Sequence, residues 1–330
     1  MTKAKVLLLV SVILMMGCGR ISVSEDTQSS LTLSVKSDES IPVNSLQTWA
    51  FYCDAQGNVT QTENIGYASS VASQTVSLKL DGKSRYYILM TGVNLPSMFN
   101  EGTSFSTLST ATFLETPDET IYTNWTVVDL MGDVANVPIE VFPTCGRIRV
   151  NISKETDAMT LRIDEIRLLS NNAPTQNTFF SAMTSEQIRN GGLTSGKWNF
   201  SGVSIPLEAT SISLASSVDI VTSRQSLCDK YVYEHSAGWT DLKTFRESGW
   251  STDPSKSDPE CNGYYLSVSY TYAVCPEMSL DSDQAITVQK YIPLPPVCRG
   301  NEYRYDIRIN LDEIIVFGST EVSEEIGGSW

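Results

Sequence analysis

Cys18 is the residue whose position most clearly indicates chemistry. It directly follows Gly17 and an apolar run over residues 6–16, and two lysines precede that run. A basic start, a short apolar core and a small residue before a cleavage point are typical of a signal peptide. About 11 apolar residues are too few to cross a hydrocarbon core of about 30 Å. Residues 1–17 are therefore predicted to be a signal peptide that is removed on export.

The junction at Cys18 resembles the lipobox of bacterial lipoproteins. In that family the cysteine thiol is acylated, and cleavage makes the cysteine the first residue of the mature chain. The usual lipobox has leucine three positions before the cysteine, where this sequence has Met15. The resemblance implies lipidation at Cys18 and attachment to a membrane surface through a polar tether at 18–29. The alternative is an ordinary secretory signal with an incidental cysteine.

The other cysteines predict disulfide chemistry. An even number of cysteines remains if Cys18 carries lipid, and in an exported chain this favours disulfide bonds. The candidates are Cys53, Cys145, Cys228, Cys261, Cys275 and Cys298. Four of them lie between residues 228 and 298, so one or two bridges are expected in that stretch. Buried free thiols are the alternative for some of them.

The sequence offers little material for catalysis or metal binding. His235 is the only histidine and so the only candidate base for a Ser-His-Asp or Cys-His arrangement, and no nucleophile elbow lies near it. The chain has no C-x-x-C motif, which makes a zinc site a poor hypothesis. Asp281 and Asp283 lack the further spaced oxygens of a calcium loop. We therefore predict no catalytic residue, no metal and no cofactor, and expect that the chain is not an enzyme.

The charge and length of the chain restrict its partners and its organisation. The formal net charge is −15 over 330 residues, which disfavours nucleic acids and anionic lipid surfaces as partners. Acidic residues are spread without long runs, so the charge mainly keeps a surface protein soluble. The chain after residue 17 is long for a single core and sufficient for two domains.

Alternating apolar residues predict β-strands in the first half of the chain. Leu31, Leu33 and Val35 alternate with Thr32 and Ser34, which is the pattern of a half-buried strand. Further strands are predicted at 48–53, 76–80, 85–93 and 125–130.

A second domain is predicted to begin where a new alternating strand starts at Cys145. The chain is thereby divided into an N-terminal domain at 30–143 and a C-terminal domain at 144–330. Strands at 264–274 and 303–311 each show one apolar and one polar face, as antiparallel sandwiches require. Helical periodicity is almost absent, so the chain is predicted to be all-β, with two β-sandwich domains and few short helices.

Two local patterns make sharper predictions. Leu161 and Ile163 are out of phase with Ile166 and Leu168, and a bulge in the strand would reconcile them. Residues 184–187 have the capping-box sequence Thr-Ser-Glu-Gln, which predicts a short helix.

The order of these features resembles the fimbrillin-type fimbrial subunits of Bacteroidales, the type V pilus family. The resemblance rests on the lipobox with its tether and first strand, the strand at 46–57 ending in Asp-Ala-Gln-Gly, the strand pair at 76–94 and the strand at 144–150. It implies two tandem transthyretin-like β-sandwich domains. It also implies assembly by strand exchange, in which a protease removes the first strand and a terminal strand of a neighbouring subunit fills the groove.

By this resemblance, Leu31, Leu33 and Val35 form the exchanged strand. Proteases that process the family commonly cut after arginine, but the loop after this strand has none, so Lys36 is the candidate processing site. If the strand is retained, the chain resembles the anchor or accessory subunits that hold a fimbria to the outer membrane. We favour this hypothesis over a stalk subunit.

The predicted function is therefore that of a lipid-anchored subunit of a cell-surface fimbria at the outer membrane, acting in anchoring, assembly and adhesion. The expected partners are other fimbrial subunits, the outer membrane through the lipid, and a ligand on a host or bacterial surface, with no nucleic acid. The alternative is a surface glycan-binding lipoprotein that does not polymerise. A secreted hydrolase is the third hypothesis.

Overall fold

The computed structural model describes residues 28–36, 45–71, 75–81, 84–91, 99–113, 121–130, 134–198, 200, 205–235, 241–247, 263–311, 313–320 and 325–329. Most of these residues lie in strands, so the all-β prediction is confirmed. No helix within these ranges is long and apolar enough to span a membrane.

The elements of the first half are β1 (Gln28–Lys36), β2 (Ser45–Tyr52), β3 (Gly66–Val71), β4 (Thr75–Asp81), β5 (Arg85–Thr91), α1 (Phe105–Thr110), β6 (Thr112–Phe113), β7 (Tyr122–Asp129), β8 (Val134–Glu140) and β9 (Phe142–Pro143). Those of the second half are β10 (Cys145–Lys154), β11 (Thr160–Pro174), β12 (Asn177–Thr178), α2 (Ser185–Arg189), β13 (Leu193–Thr194), β14 (Lys197–Trp198), β15 (Leu207–Asp219), β16 (Gln225–Tyr233), α3 (Leu242–Glu247), β17 (Tyr265–Ala273), β18 (Ile286–Pro293), β19 (Glu302–Asn310), β20 (Glu313–Thr320) and β21 (Glu325–Ser329).

The N-terminal sandwich packs a three-stranded sheet, β4-β1-β8, against a five-stranded sheet, β3-β2-β5-β7-β9. Side chains from both inner faces form one aliphatic core, because alternate residues of each strand point to the same side. Along β4 this alternation is perfect, with Val76, Leu78 and Leu80 buried and their neighbours exposed. The first strand, β1, lies in the middle of its sheet.

The C-terminal sandwich repeats this plan, with sheets β16-β10-β19-β20-β21 and β15-β11-β17-β18. The predicted bulge in β11 is confirmed, since its pairing with β17 shifts between Ile163 and Glu165. Pro293, the last residue of β18, lies on an edge strand, where a missing N–H is tolerated. The division of the chain into domains at residue 144 stays a prediction.

One face of β17 differs from its prediction. Its Ser and Thr side chains were expected to face water, but Ser267 and Thr271 are buried. The Thr271 hydroxyl lies 2.7 Å from a carboxylate oxygen of Asp164 and 2.9 Å from the hydroxyl of Thr287. The neighbouring strands thus cover the polar side chains of this central strand and supply their hydrogen-bond partners.

The loop after β11 joins the two sandwiches. Phe179 inserts into an aromatic cluster on the outer face of the five-stranded N-terminal sheet, 4.9 Å from the ring of Phe99 and 6.3 Å from that of Trp49. β12 pairs with β6 of the N-terminal half. The predicted capping box is confirmed at the start of α2, where the side chains of Thr184 and Gln187 cap each other's backbone.

Arg299 fixes this loop from the C-terminal side. Its side chain is 1% exposed, and the guanidinium donates to the carbonyl oxygens of Thr178, at 3.1 Å, and Phe179, at 3.3 Å. Glu234 balances the buried charge, with a carboxylate oxygen 3.1 Å from the guanidinium. The junction therefore combines an aromatic cluster with a buried ion pair.

Candidate strand-exchange site

β1 is held by strands on both sides. It pairs antiparallel with β4, where Leu31 lies opposite Leu78 and Leu33 opposite Val76. On its other side it pairs parallel with β8, in register from Ser30 to Lys36. Both edges of β1 therefore form backbone ladders. The space between β4 and β8 is the width of one strand.

The inner face of β1 supplies part of the N-terminal core. Ser29 is 1% exposed, and Leu31 and Leu33 are 0% exposed. The two leucines belong to the same core as Leu46 and Ile88 of the opposite sheet. Burying a leucine contributes about 1.5–3 kcal/mol, so the two leucines are the main apolar anchors of the strand.

The outer face of β1 is small and polar. Ser30, Thr32 and Ser34 are half-buried, and the Thr32 hydroxyl lies 3.2 Å from that of Ser77 on β4. No residue of β1 from Gln28 to Val35 is charged, so no ion pair holds this part of the strand. Backbone pairing and apolar burial therefore hold the strand in place.

The core beneath β1 excludes water. Tyr86 of β5 is fully buried there, and its hydroxyl donates to the carbonyl oxygen of Asp81 at 2.7 Å. This burial raises the pKa of Tyr86 to about 12, because the phenolate would lose its hydration. A strand that replaced β1 would thus need apolar residues at alternate positions.

The structure places the predicted site residues Leu31, Leu33, Val35 and Lys36 on β1. Leu31 and Leu33 point into the core. The backbone of Val35 pairs with Ile139, and Lys36 is the last residue of the strand, opposite Glu140. A cut after Lys36 would therefore free the whole of β1. The predicted lipidation site, Cys18, lies outside the described residues.

The predicted disulfides are absent among the described cysteines. Five of the six candidates form no disulfide bond, namely Cys53, Cys145, Cys228, Cys275 and Cys298. Cys261 lies outside the described residues. The prediction from even cysteine number is therefore wrong for these five, and the alternative of a buried thiol is correct for Cys145, Cys228 and Cys298.

Strand register explains why two of these thiols do not bond. Cys145 pairs with Tyr233 on β16, whereas Cys228 of the same strand pairs with Val150, five positions along β10. Five residues of strand span about 17 Å, and a disulfide requires Cα atoms within about 7 Å. Burial raises the pKa of the Cys228 thiol to about 11, so it stays protonated and unreactive at neutral pH.

His235 has a structural environment. Its backbone N–H donates to the carbonyl oxygen of Val297 at 2.7 Å and its carbonyl accepts from the N–H of Val297 at 2.9 Å. The ring packs edge-on against Tyr264, with centroids 5.2 Å apart. Within the described ranges no group of three or more His, Cys, Asp or Glu side chains is arranged to hold a metal ion.

Sequence reasoning missed the residues of the junction. No sequence motif surrounds Phe179 or Arg299. The two residues contact each other across 120 positions of sequence, and only the fold brings them together. A lone arginine among apolar residues after a proline-rich segment was the one available signal, because a buried cation needs a defined partner.

Solved structures with similar folds come from Bacteroidales. A candidate cell adhesion protein of Parabacteroides distasonis aligns with a TM-score of 0.51 at 14% identity, over 86% of this chain and 88% of that chain. The tip fimbrial protein Mfa3 of Porphyromonas gingivalis, with a C-terminal truncation, aligns with a TM-score of 0.51 at 12% identity, over 89% and 99%. A second candidate cell adhesion protein of P. distasonis gives 0.50 at 13% identity, over 89% and 97%.

These likenesses define the class of fold. The chain has the two-sandwich architecture of fimbrial and cell adhesion structures, so the resemblance to fimbrillin-type proteins is confirmed at the level of the fold. The sequence matches no protein-family model and no curated protein.

Proposed function

We propose that the chain is a lipid-anchored subunit of a bacterial cell-surface fimbria that assembles with other fimbrial subunits at the outer membrane. The observation that carries this proposal is the position of β1, a middle strand held by two buried leucines and two backbone ladders. Such a strand leaves an apolar groove with open hydrogen-bonding edges when it is removed. The fold shared with fimbrial proteins supports the same conclusion.

The anchoring role follows from retention of β1. A subunit that keeps β1 has a filled groove and cannot accept a strand from a neighbour, although it can donate one. It would therefore end a fibre, and lipid on Cys18 would hold that end at the membrane. Lys36 is the position at which a protease would convert this form into one that accepts a strand.

The mass of the mature protein tests this proposal. The chain is isolated from assembled fimbriae, and its intact mass is measured together with the masses of its N-terminal peptides. We expect an acylated chain that begins at Cys18 and still contains residues 28–36. A mature chain that begins at Ser37 would show a stalk subunit, and absence from fimbrial fractions would refute the fimbrial role.

The glycan-binding alternative gains no support from β17. Two of the three tyrosines of this strand, Tyr270 and Tyr272, are 0% and 5% exposed and belong to the core, and the half-buried Tyr265 packs against Tyr291 of β18, with ring centroids 6.0 Å apart. Pull-down on immobilised glycans, without association with fimbriae, is the result that would favour this alternative.

A further inference from the structure

The C-terminal sandwich is open along one side. β15 and β16 are neighbouring edges of its two sheets, and an apolar slot of about 230 Å³ lies between them. Ile212 of β15 and Val232 of β16 line the slot together with the buried side chains of Cys145 and Tyr264. An apolar cavity of about 150 Å³ is sufficient for benzene. This slot therefore has room for a larger ring such as indole.

The corresponding side of the N-terminal sandwich is closed. There the neighbouring edges are β3 and β4, which occupy the same places in the strand order. Leu80 of β4 packs directly on the backbone of Gly66, so closely that a Cβ at position 66 would lie 2.6 Å from a methyl carbon of Leu80. The opening between β15 and β16 is thus a feature of one sandwich and not of the shared architecture.

β15 lacks the charged side chains and proline that protect many edge strands along its centre, although its pairing with β11 shifts register between Ile166 and Arg167 and between Ser170 and Ala173. Exposed edges are usually blocked by charged side chains or proline, and in this sandwich β16 carries Lys230 while β18 carries Lys290 and Pro293. β15 has 13 residues and no charged residue between positions 209 and 218. Among the described strands only β11 pairs with it, so its outer edge presents a row of backbone donors and acceptors.

Ile212 links the edge to the slot. It pairs with Leu168, a core residue of β11, yet it is 38% exposed because it borders the opening. An edge that offers backbone hydrogen bonds beside a pocket for one side chain is the arrangement by which extended peptides are recognised.

We propose that β15 binds an extended segment of another protein, which adds to the sheet as a strand and places one bulky apolar side chain in the slot. The centre of this segment is uncharged, to match residues 209–218. A lysine or arginine lies two to four positions from the bulky residue, because Glu208, which pairs with the slot-lining Ala173, is exposed and no ion pair among the described residues involves it. This site lies on the other sandwich from β1 and is independent of strand exchange there.

Synthetic peptides test this proposal by fluorescence anisotropy with the full mature chain. The reference peptide has nine residues, alternates threonine with valine, and carries tryptophan at its centre and lysine at both ends. Three variants replace the tryptophan with leucine, the tryptophan with alanine, or the lysines with glutamate. We expect affinity to fall from tryptophan to leucine to alanine, by about tenfold overall, and to fall again with glutamate ends.

A matched pair of protein variants locates the binding. Ile212→Lys puts a charge at the slot, whereas Ile286→Lys makes the same change at an isoleucine of similar exposure on β18, the opposite edge of the same sheet. We expect the first to weaken binding at least about tenfold and the second to leave it unchanged.

Several results would overturn the proposal. These are no binding of the reference peptide, affinity independent of its central residue, or equal loss in both variants. Light scattering gives a further outcome, since a dimer that Ile212→Lys dissociates would make β15 an interface between copies of this chain. Both variants retain β1, so the result is separate from that of the fimbrial proposal.

Discussion

The two sandwiches share one strand plan but hold their first strands differently. β1 pairs antiparallel with β4 and parallel with β8, and β10 pairs antiparallel with β16 and parallel with β19. Each first strand lies in the middle of its sheet and buries one face. The difference between them lies on the opposite face.

The outer face of β10 carries a ladder of ion pairs. Arg147 and Arg149 both contact Asp229 on β16, at 2.6 and 3.2 Å, and Arg149 also lies 3.0 Å from Glu302 on β19. The same positions of β1 hold serine and threonine. β10 is thus tied to specific partners on both sides, whereas β1 makes contacts that many alternating sequences would reproduce.

This contrast shows how one fold can contain both a fixed and a replaceable strand. Many different sequences can bury leucine-like side chains and pair their backbones in this way, because any strand with apolar residues at alternate positions does so. The ion pairs of β10 contribute little energy each, but they are specific to one register. The parallel partners of the two first strands also differ. β19, the partner of β10, is itself paired with β20 on its other side, whereas β8, the partner of β1, is the edge strand of its sheet.

Removal of β1 should have the largest effect. A chain that starts at Ser37 loses two buried leucines, worth about 1.5–3 kcal/mol each, and both ladders of the strand. We expect the N-terminal sandwich to melt at much lower temperature in calorimetry. A peptide of residues 28–36 added in trans should restore the original transition.

The control for this experiment is the same peptide with aspartate in place of Leu31 and Leu33. It preserves the backbone but cannot enter the core, so it should not restore the transition. Equal rescue by both peptides, or no loss of stability on truncation, would contradict the replaceable character of β1.

Arg299→Met should have the next largest effect, because it breaks the junction between the two sandwiches. It removes the guanidinium from Glu234, which keeps the backbone N–H of residue 299, and it leaves two carbonyl groups without this donor, at a cost of about 3–5 kcal/mol. Calorimetry should show reduced stability in both sandwiches, since Phe179 packs in the N-terminal aromatic cluster. Arg304→Met, the same change at a more exposed ion pair, should have little effect.

Period-two patterns in the sequence predicted the strands and the sandwich class. Leu31 and Leu33 were correctly assigned to a buried face, and the phase change after Ile163 correctly indicated a bulge. These features depend only on which side of a strand each residue occupies. This information is local, so it can be read from the sequence without knowledge of the fold.

The junction and the thiols required three-dimensional information. Phe179 and Trp49 are far apart in the sequence, and β2 buries both faces because the loop that carries Phe179 covers the outer one. The cysteine count suggested bridges, but register separates Cys145 from Cys228 along neighbouring strands. An even number of cysteines gives no information about the distances between their sulfur atoms in the folded chain.

Asp229→Asn should weaken the ladder of β10 by a small amount. The neutral amide retains the shape of the side chain but loses the charge that Arg147 and Arg149 share. The expected loss is about 1 kcal/mol in denaturant unfolding, because the carboxylate is 42% exposed and solvent screens the pairs. Ser34→Ala on the outer face of β1 is the matched change, and it should have no measurable effect.

Acid should remove the difference between the original chain and Asp229→Asn. Hydrogen bonds from Arg147, together with its positive charge, lower the pKa of the Asp229 carboxyl below its ordinary value of about 3.9. The folded chain therefore binds that proton less readily than the unfolded chain does. The contribution of Asp229 to stability is complete above about pH 4 and is lost as the pH falls through the lowered pKa.

Denaturant unfolding of the two proteins at pH 7 and at about pH 2.5 measures this change. Arg85 also lowers the pKa of Asp129, but that group is present in both proteins and cancels from the difference. A difference in unfolding free energy that persists in acid would mean that the amide disturbs packing and not charge. In that case the ion pairs would not be what distinguishes β10 from β1.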